Sequence, residues 1–409
     1  MLLLKLALLN IGRNPRRSVI TILAIGVGLA ALIFLWGFTD GNLEQMRENV
    51  IRLLTGHVQI QRQGFDESLS PELTLPDAEG IIKKIEAHPS LVAYSKRAQS
   101  EALIGTSERS RGVIMTGIDP GQEPKVTDLN DHVLEGRFLT SEDTRGVLIG
   151  DRLAKKLRVE LNDKVVVMSQ AIDGTLAGYA YRVQGIFHTG SRAVDESSIY
   201  LTLASVQELL GLEQDFHSIM VRLKDRDELK TFLPYLHESI SNKTDLSILP
   251  WNELIPEVEQ WAEWSSSINQ TILTAIMIVI AVSIMNTMLM AVFERTRELG
   301  IMIAIGTSPA RVVKLILLET LFLEAAGIAV GLVMGYSVVN HFGKVGIHFA
   351  HLEKAFSMSY MSTTVYTQVE PVHVVQSVLS LLLITSCIGL YPAFRAARME
   401  PVKAIYHSN

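Results

Sequence analysis

The residue types that perform catalysis or bind metal ions occur in this sequence, but their spacing does not form a known site. The fragment Gly343-Lys344-Val345 comes nearest to a phosphate-binding loop, and it lacks the hydroxyl residue and the earlier glycine of that motif. Zinc-type spacings of histidine or cysteine are missing, as is a nucleophile elbow. The sequence therefore predicts a chain that is not an enzyme by itself, with no catalytic residue, metal ligand or cofactor of its own.

The histidines of the central region are scattered singly along the chain. A metal site needs several ligands close together, so a lone histidine is more often a surface or packing residue than a ligand. We predict surface or packing roles, with metal ligation as the alternative, for His57, His88, His132, His188, His217 and His237.

Two glutamates lie inside an otherwise apolar segment. A carboxylate within a membrane span usually marks a proton pathway or a buried pair. Glu319 lies close to the start of the segment, and Glu324 lies deeper. Two acids without a third acid or a basic partner in the spans make a poor proton relay. The sequence identifies no partner for Glu324.

The elements that must position these residues are four long apolar runs. Each run is about as long as the ~20 residues that a helix needs to cross ~30 Å of hydrocarbon. They extend over Val19 to Phe38, Ile268 to Phe293, Leu315 to Val339, and Val372 to Phe394. The sequence thus predicts a membrane protein with four transmembrane helices, arranged one plus three, and a large extracytoplasmic domain between the first and second.

The predicted boundaries follow from these runs. They are 1–18 for the N-terminal segment, 19–40, 266–293, 311–340 and 372–394 for the spans, 41–265 for the large domain with its helical stalks, 294–310 for a short helix, 341–371 for an outer loop, and 395–409 for the tail.

Composition agrees with a chain that is part membrane and part aqueous. Hydrophobic residues make up 48%, and the mean hydropathy is +0.26, an average of two different compositions. Strand and helix patterns alternate through the large domain, which we predict to be α+β, with residues 128–193 as a possible inserted subdomain. The single cysteine, Cys387, lies in the fourth span, so the large domain has no disulfide framework.

Orientation follows from the basic residues that flank the spans, because cytoplasmic segments carry an excess of Lys and Arg. These residues precede span one, separate spans two and three, and follow span four: Lys5, Arg13, Arg16, Arg17; Arg295, Arg297, Arg311, Lys314; Arg395, Arg398, Lys403. We predict an inner-membrane protein with both termini in the cytoplasm and the large domain in the periplasm. The first span lacks a cleavage site and is expected to remain as a signal anchor.

A charged segment separates the second span from the third. It begins at Glu294 and ends at Gly306, and Thr307 or Ser308 then caps a helix whose first turn contains Pro309. The pattern predicts a short amphipathic helix along the inner membrane face. It is either a solvated surface loop or a lever that docks into a cytoplasmic partner.

This segment resembles the signature of the FtsX/MacB-type permeases of ABC transporters. Further resemblances are found at Asn14 to Ser18, Thr21 to Leu23, Tyr391 to Arg398, and Pro401 to Ala404. The resemblance implies that the short helix couples to a separate ABC ATPase dimer, which binds ATP and Mg²⁺, and that Glu319 forms a structural pair beside it. The implied coupling residues are Glu294, Arg295, Arg297, Glu298, Leu299, Gly300 and Gly306.

The large domain resembles the lipoprotein-releasing, LolC/LolE-like branch. The resembling motifs are Gly117 to Pro120, Leu134 to Phe138, Ile149 to Ala154, and Val183 to Phe187. This implies extraction of lipoproteins and a hairpin, about Met168 to Arg182, that contacts a periplasmic carrier. An ordinary solvent-exposed hairpin is the alternative. The implied contact residues are Asp173, Gly174, Leu176, Tyr179 and Tyr181.

The same resemblance implies a lipid-facing cavity between spans one and two of paired permeases. We expect Phe34, Phe38, Met285 and Met288 to line it, and the partners to include a second copy or paralogue, membrane lipid and lipoprotein cargo, but no nucleic acid. Efflux of a peptide, drug or toxin is one alternative function. A non-transporting regulator of a periplasmic partner is the other.

Small residues recur in span three at Gly327, Gly331 and Gly335. This spacing places them on one face of a helix and favours close helix packing. The sequence leaves open whether that packing occurs within the chain or across a dimer.

Overall fold

The computed structural model of the chain describes residues 2–240, 245–349 and 364–399. Of these residues, 2–43, 262–347 and 364–399 form one compact unit, and 44–240, 245–261 and 348–349 form the other. The tail motif at Pro401 to Ala404 and residues 350–363 of the predicted outer loop lie outside the described residues.

The helices of the described chain include four that are much longer than the rest. In chain order they are α1 Leu2–Arg13, α2 Pro15–Val50, α3 Phe65–Ser68, α4 Ala78–Glu86, α5 Glu123–Val126, α6 Asp151–Leu157, α7 Arg192–Ser197, α8 Leu203–Leu210, α9 Leu229–Ile240, α10 Trp251–Leu254, α11 Pro256–Glu294, α12 Thr296–Ala304, α13 Pro309–Val345 and α14 Pro371–Ala397.

Four helices are long and apolar enough to cross a membrane, and each predicted span lies inside one of them. They are α2, α11, α13 and α14, and each begins with a proline. Proline suits this position because the first turn has no partner for its N–H and already needs the φ that the ring imposes. The predicted arrangement of one span, a large domain and three spans is confirmed.

The glycine stripe of α13 packs against α2 within the same chain. A Cβ added at Gly331 would lie 2.8 Å from Leu29 Cβ and 2.9 Å from the Gly26 carbonyl oxygen. A Cβ at Gly327 would lie 2.6 Å from Ile25 Cγ2. Helices without an apolar driving force between them gain stability from such close backbone approach. The stripe therefore holds the first span to the third.

The unit that contains residues 44–240 and 245–261, here called the aqueous unit, has one mixed sheet of ten strands. The strands are β1 Val58–Arg62, β2 Leu91–Gly105, β3 Ser110–Ile118, β4 Val133–Gly136, β5 Gly146–Gly150, β6 Lys164–Gln170, β7 Leu176–Phe187, β8 Ser198–Thr202, β9 Ser218–Leu223 and β10 Leu246–Pro250; two short strands, β11 Ile347–His348 and β12 Thr364–Val365, lie elsewhere. The order in the sheet is β10-β1-β9-β2-β3-β8-β5-β7-β4, and β6 pairs with β2 and β7.

The two largest apolar cores along this sheet divide within β2. The first half of β2 pairs with β9, beside a core that contains Ile60, Ile85 and Phe232. From Ala98 onward β2 contributes to a second core, which extends to Leu212. We call the parts of the sheet beside these two cores the first and second lobes. The second lobe includes β2, β3 and β8 as well as the strands within the predicted insertion 128–193. Pairing along β2 continues from one lobe into the other.

The predicted hairpin is formed by β6 and β7, paired antiparallel from Lys164↔Arg182 to Gln170↔Leu176. Its turn closes with hydrogen bonds from Ala171 N to Thr175 O (2.8 Å) and from Gly174 N to Ala171 O (2.9 Å). Gly174 has φ +81°, a conformation that glycine adopts without steric cost.

The two stalks differ in their regularity. The first continues from α2 to Val50 and then through a π-helical turn at Ile51–Thr55. The second is interrupted, because α10 ends at Leu254 and α11 starts at Pro256. Trp251 and Val258 are buried against Met46, Val50 and Ile51 of the first stalk. The stalk segments of this unit therefore pack on each other through a small apolar cluster.

His57, just after the first stalk, makes the stability of the aqueous unit sensitive to acid. It is 7% exposed, its Nδ1 accepts a hydrogen bond from Leu223 N at 3.3 Å, and burial lowers its pKa from 6.5 to about 4. Between these values the unfolded chain binds a proton that the folded chain does not, so stability is complete above pH 6.5 and is lost as the pH falls toward 4.

We expect this residue to lower the free energy of unfolding by up to about 2 kcal/mol between pH 7 and pH 5. His57→Gln, which keeps an acceptor but does not titrate, should show less acid destabilisation. Hydrogen exchange of the β9 amides, compared between variant and wild type at each pH in full-length protein in micelles, measures this. The exposed His237→Gln serves as the control, and equal acid losses in all three proteins would contradict the prediction.

Candidate functional site

A short helix joins the second and third membrane helices. Helix α11 ends at Glu294, Arg295 follows, and α12 then extends to Ala304. Gly306 has φ +95°, and Thr307 N donates to Met302 O at 2.9 Å, which closes the end of α12. Ser308 then precedes the first residue of α13. Three helices thus follow one another with only Arg295 between α11 and α12 and residues 305–308 between α12 and α13.

A buried ion pair fixes the start of α12. The Arg295 guanidinium lies 3.2 and 3.3 Å from the two carboxylate oxygens of Glu319 on α13, and both residues are less than one tenth exposed. Arg295 Nη2 also donates to the Asn10 carbonyl oxygen of α1 at 2.9 Å, and the Asn10 amide donates to Glu319. Three separate segments of the chain therefore meet at one pair of charges.

Two further ion pairs, which are solvent-exposed, connect α12 and the end of α11 to the N-terminal region. Arg13 binds Glu298 through two hydrogen bonds of 2.7 and 3.1 Å. Arg17 and Asn14 bind Glu294 at 2.7 and 3.1 Å. The Arg13 guanidinium lowers the pKa of Glu298 below its usual value. The N-terminal segment, to which the sequence analysis assigned no secondary structure, thus contains a helix, α1, that contacts the short helix.

The predicted coupling residues lie on two different faces of α12. Arg295, Leu299 and Gly300 are buried, and Leu299 belongs to the apolar core of the membrane helices. The opposite face carries Arg297 and two exposed apolar side chains, Ile301 (44% exposed) and Ile305 (78% exposed). Exposed isoleucines beside an exposed cationic side chain form a surface suited to binding another protein.

A cavity of about 170 Å³ lies behind the buried pair. Its lining combines the ion-pairing residues with apolar side chains from α11 and α13, including Asn10, Arg295, Glu319, Leu315 and Met288. Movement of α12 would change this cavity directly, because Leu299 and Met302 also line it.

The four residues predicted to line a lipid-facing cavity lie in different places in the structure. Met288 is buried at the cavity just described. The Phe34 ring packs on Phe342 of α13 at 5.9 Å, and Phe38 and Met285 are half-buried. Since the predicted cavity requires two permeases, its assignment to these residues stays a prediction.

An open apolar groove does occur between α2 and α11. It has a volume of about 440 Å³ and is lined by Ala24, Val27, Gly28, Ala275, Ile276, Val279, Ile280 and Ser283. Gly28 allows the close approach that forms its floor, because a Cβ there would lie 2.5 Å from Ile280 Cδ1.

The hairpin residues predicted to contact a carrier lie in different environments. Asp173 and Gly174 form the turn, and Leu176 is 72% exposed. The Tyr179 ring lies under the Arg145 guanidinium at 4.4 Å. Tyr181 is only 1% exposed and belongs to the second core. The prediction that Tyr181 is a surface contact is therefore wrong, because strand alternation turns it inward.

The structure identifies the partner of Glu324 on α14. The Thr385 hydroxyl donates to one carboxylate oxygen of Glu324, which is 1% exposed. The other oxygen accepts no hydrogen bond from the described residues. Thr385 was not apparent from the sequence, because the two residues lie on different helices.

The sequence search also missed Asn10, Arg13 and Arg17 as contacts of the short helix. The available signal was the apolar spacing before Arg13, which is compatible with an amphipathic helix. Helical spacing alone does not say which neighbour a helix contacts, so the ion pairs could not be inferred.

Comparison with known families covers most of the chain. The family described as MacB-like periplasmic core domain matches residues 18–236. The family described as FtsX-like permease C-terminal matches residues 271–401.

Relatives of two types are similarly close. The chain is 24% identical to the lipoprotein-releasing system transmembrane protein LolC of Neisseria meningitidis, over 95% of this chain and 93% of that protein. It is 25% identical to the macrolide export ATP-binding/permease protein MacB of Pectobacterium atrosepticum, over 98% of this chain and 60% of that protein. The periplasmic region of MacB from Actinobacillus actinomycetemcomitans is 17% identical, covers 49% of this chain and 92% of that structure, and superposes with a TM-score of 0.37.

The buried pair predicts a particular pattern of stability. Glu319→Ala leaves the Arg295 charge buried without a partner, so the free energy of unfolding should fall by about 3 kcal/mol. Replacing both residues by apolar ones, Arg295→Met with Glu319→Leu, should recover most of that loss. Unfolding of the full-length variants in micelles measures both effects.

Glu298→Ala is the matched control, since its exposed pair with Arg13 should contribute less than about 1 kcal/mol. A double variant no more stable than Glu319→Ala alone would show that the two charges do not stabilise each other.

Proposed function

The chain belongs to the FtsX-like permeases with a MacB-like periplasmic core domain, and on that premise we propose that it is the permease subunit of an ATP-driven ABC transporter that extracts lipoproteins from the inner membrane and delivers them to a periplasmic carrier. ATP and Mg²⁺ bind in a separate ATPase dimer. The termini and α12 lie in the cytoplasm, which the basic residues flanking the spans support.

The observation that carries the proposal is the two-sided construction of α12. One face is fixed to α1 and α13 by the Arg295–Glu319 pair and by Asn10. The other face exposes Arg297, Ile301 and Ile305. A helix that binds an ATPase on one side and is held rigidly on the other moves with that ATPase. Its motion then reaches α2 and α11, which continue as helices to Val50 and from Pro256.

Lipoprotein cargo is supported by the groove between α2 and α11. Its lining is apolar apart from one serine, and Val27 and Val279 are more than half exposed in it. Such a surface suits a lipid acyl chain, which offers only apolar contacts. A second copy or a paralogue would close the groove. LolC, a lipoprotein-releasing protein by its name, matches nearly the whole of this chain.

Export of a peptide, drug or toxin is the second candidate. It is favoured by the similarity to MacB, whose name describes macrolide export and whose identity to this chain is as high as that of LolC. Identification by mass spectrometry of what copurifies with the complex separates the two. Lipoprotein supports extraction, a soluble molecule supports export, and a cell-wall enzyme with no cargo supports a regulator.

Charge reversal at Glu298 should uncouple the ATPase. Glu298→Arg places a cation beside Arg13, which breaks one of the contacts between α12 and α1, and we expect cargo-stimulated ATP hydrolysis to fall about tenfold, equivalent to about 1.4 kcal/mol. The swap Arg13→Glu with Glu298→Arg should restore it, since the pair is exposed and can form in either order. Steady-state ATPase assays of the reconstituted complex measure both.

The exposed Glu263 on α11 provides the control, because Glu263→Arg makes the same charge change away from α12. Unchanged coupling in Glu298→Arg, or in a chain lacking Glu294 to Gly306, would contradict the proposed role of the short helix.

Filling the groove should block cargo entry. Val279→Trp places a large ring among the groove residues and should lower lipoprotein release from proteoliposomes several-fold. Val333→Trp on α13 is equally exposed, at 69% against 66%, but lies outside the groove, so release should be unaffected. Equal release by the two variants would show that the groove does not hold cargo.

A further inference from the structure

Two acidic residues and a histidine meet at one edge of the sheet in the aqueous unit. Strands β5 and β7 are parallel neighbours, and Gly150 at the end of β5 pairs with Phe187 at the end of β7. The next residue after each strand is Asp151 and His188. Parallel strands end at the same edge of a sheet, so these side chains lie together. Asp195 lies on α7, which follows the end of β7 after a short loop.

The three side chains converge on one point. His188 Nδ1 lies 3.2 Å from Asp151 Oδ1 and 3.1 Å from Asp195 Oδ2. All three ligand atoms are within 4.8 Å of one another. The Asp195 side chain is fully buried, the Asp151 side chain is 13% exposed and the His188 side chain is 37% exposed, so solvent reaches the group mainly at His188.

One oxygen of the buried carboxylate is unsatisfied. Asp195 Oδ1 accepts hydrogen bonds from the Thr189 N–H at 2.9 Å and the Thr189 hydroxyl at 2.8 Å. Asp195 Oδ2 points toward His188 but accepts no hydrogen bond from the described residues. His188 Nδ1 carries at most one hydrogen, and Asp151 is aligned to accept it. A buried carboxylate oxygen without a donor is costly unless a cation is near, and either a protonated His188, whose Nδ1 lies 3.1 Å away, or a bound metal ion would supply that cation.

The spacing suits a shared metal ion. Zinc binds histidine nitrogen at about 2.0–2.1 Å and carboxylate oxygen at about 2.0–2.2 Å, and tetrahedral geometry places neighbouring ligand atoms about 3.3–3.5 Å apart. The two distances at His188, 3.2 and 3.1 Å, are slightly shorter than that spacing, and a small rotation of the side chains would reach it. One imidazole with two carboxylates is a donor set for a borderline divalent ion such as Zn²⁺ rather than for Mg²⁺ or Ca²⁺, which prefer oxygen alone.

We propose that Asp151, His188 and Asp195 bind one divalent transition-metal ion of the Zn²⁺ type. The ion joins α6, α7 and the end of β7, and thereby stabilises the second lobe. This site is independent of the transport function proposed above. It also reverses the sequence-based expectation that His188 is a surface or packing residue and that the chain has no metal ligand.

The surroundings hold the ligands in place. A Cβ at Gly150 would lie 2.2 Å from the Asp195 carbonyl oxygen, so only glycine there lets α7 approach β5 this closely. Thr189 orients the Asp195 carboxylate, as outer-shell partners of metal ligands do. Lys155 binds the remaining oxygen of Asp151 at 2.8 Å and would keep that carboxylate monodentate.

The test uses full-length protein in micelles, first stripped with a chelator and then titrated with Zn²⁺, with Mg²⁺ as the comparison ion. We expect one equivalent of Zn²⁺ by elemental analysis, a rise in Tm with Zn²⁺ but not with Mg²⁺, and d–d absorption when Co²⁺ replaces Zn²⁺. His188→Ala should weaken Zn²⁺ binding at least about tenfold. His237→Ala, which removes an exposed histidine elsewhere in the unit, should bind as wild type does.

Both Asp195→Asn and Asp151→Asn are measured. The variant at the buried Asp195 can fail to fold, whereas the variant at the partly exposed Asp151 retains the packing of α7. Loss of Zn²⁺ binding in His188→Ala and Asp151→Asn, with normal folding, supports the site. Wild-type protein that retains no Zn²⁺ and gains no Tm, or a His188→Ala variant that binds as tightly as wild type, overturns it and leaves the cluster as an ion pair between a protonated histidine and two carboxylates.

Discussion

A guanidinium buried beside a membrane helix requires a carboxylate and a full set of acceptors, and much of the membrane unit is arranged around this requirement at Arg295. Glu319 supplies the charge, and the Asn10 carbonyl supplies a further acceptor. Because these residues come from three segments, satisfying one charge joins α1, α12 and α13. The more exposed pairs at Arg13 and Arg17 then align α1 with the short helix, at little cost or gain in stability.

The two faces of α12 differ in whether their side chains contact the rest of the chain. Its buried face contains the charges and apolar groups that have found partners within the chain. Its exposed face keeps Arg297, Ile301 and Ile305 available. The proposed coupling role needs both properties, since a helix free on both sides would move without moving the spans. Farther along, the glycines at 327, 331 and 335 let α2 and α13 pack closely against each other.

The aqueous unit consists of two small lobes that share one sheet. Strand β2 pairs with β9 in its first half and with β3 and β6 in its second half, so the lobes share backbone hydrogen bonds while keeping separate cores. The proposed metal site lies in the second lobe, where α6 and α7 are short and contribute limited apolar burial. An ion there would stabilise a part of the unit whose helices α6 and α7 have only seven and six residues.

The sequence by itself determined the number and order of the spans, the stalk after span one, the hairpin turn at Asp173-Gly174 and the position of the short helix. These features depend on local properties: the length of an apolar run, helical spacing, and the turn preferences of glycine and proline. The tertiary structure decided the contacts. Asn10 meets Arg295, Thr385 meets Glu324, and the inward side of β7 buries Tyr181. Asp151, His188 and Asp195 converge only because β5 and β7 are parallel neighbours. Such contacts join residues far apart in the chain, and local pattern carries no information about which distant segment a side chain will face.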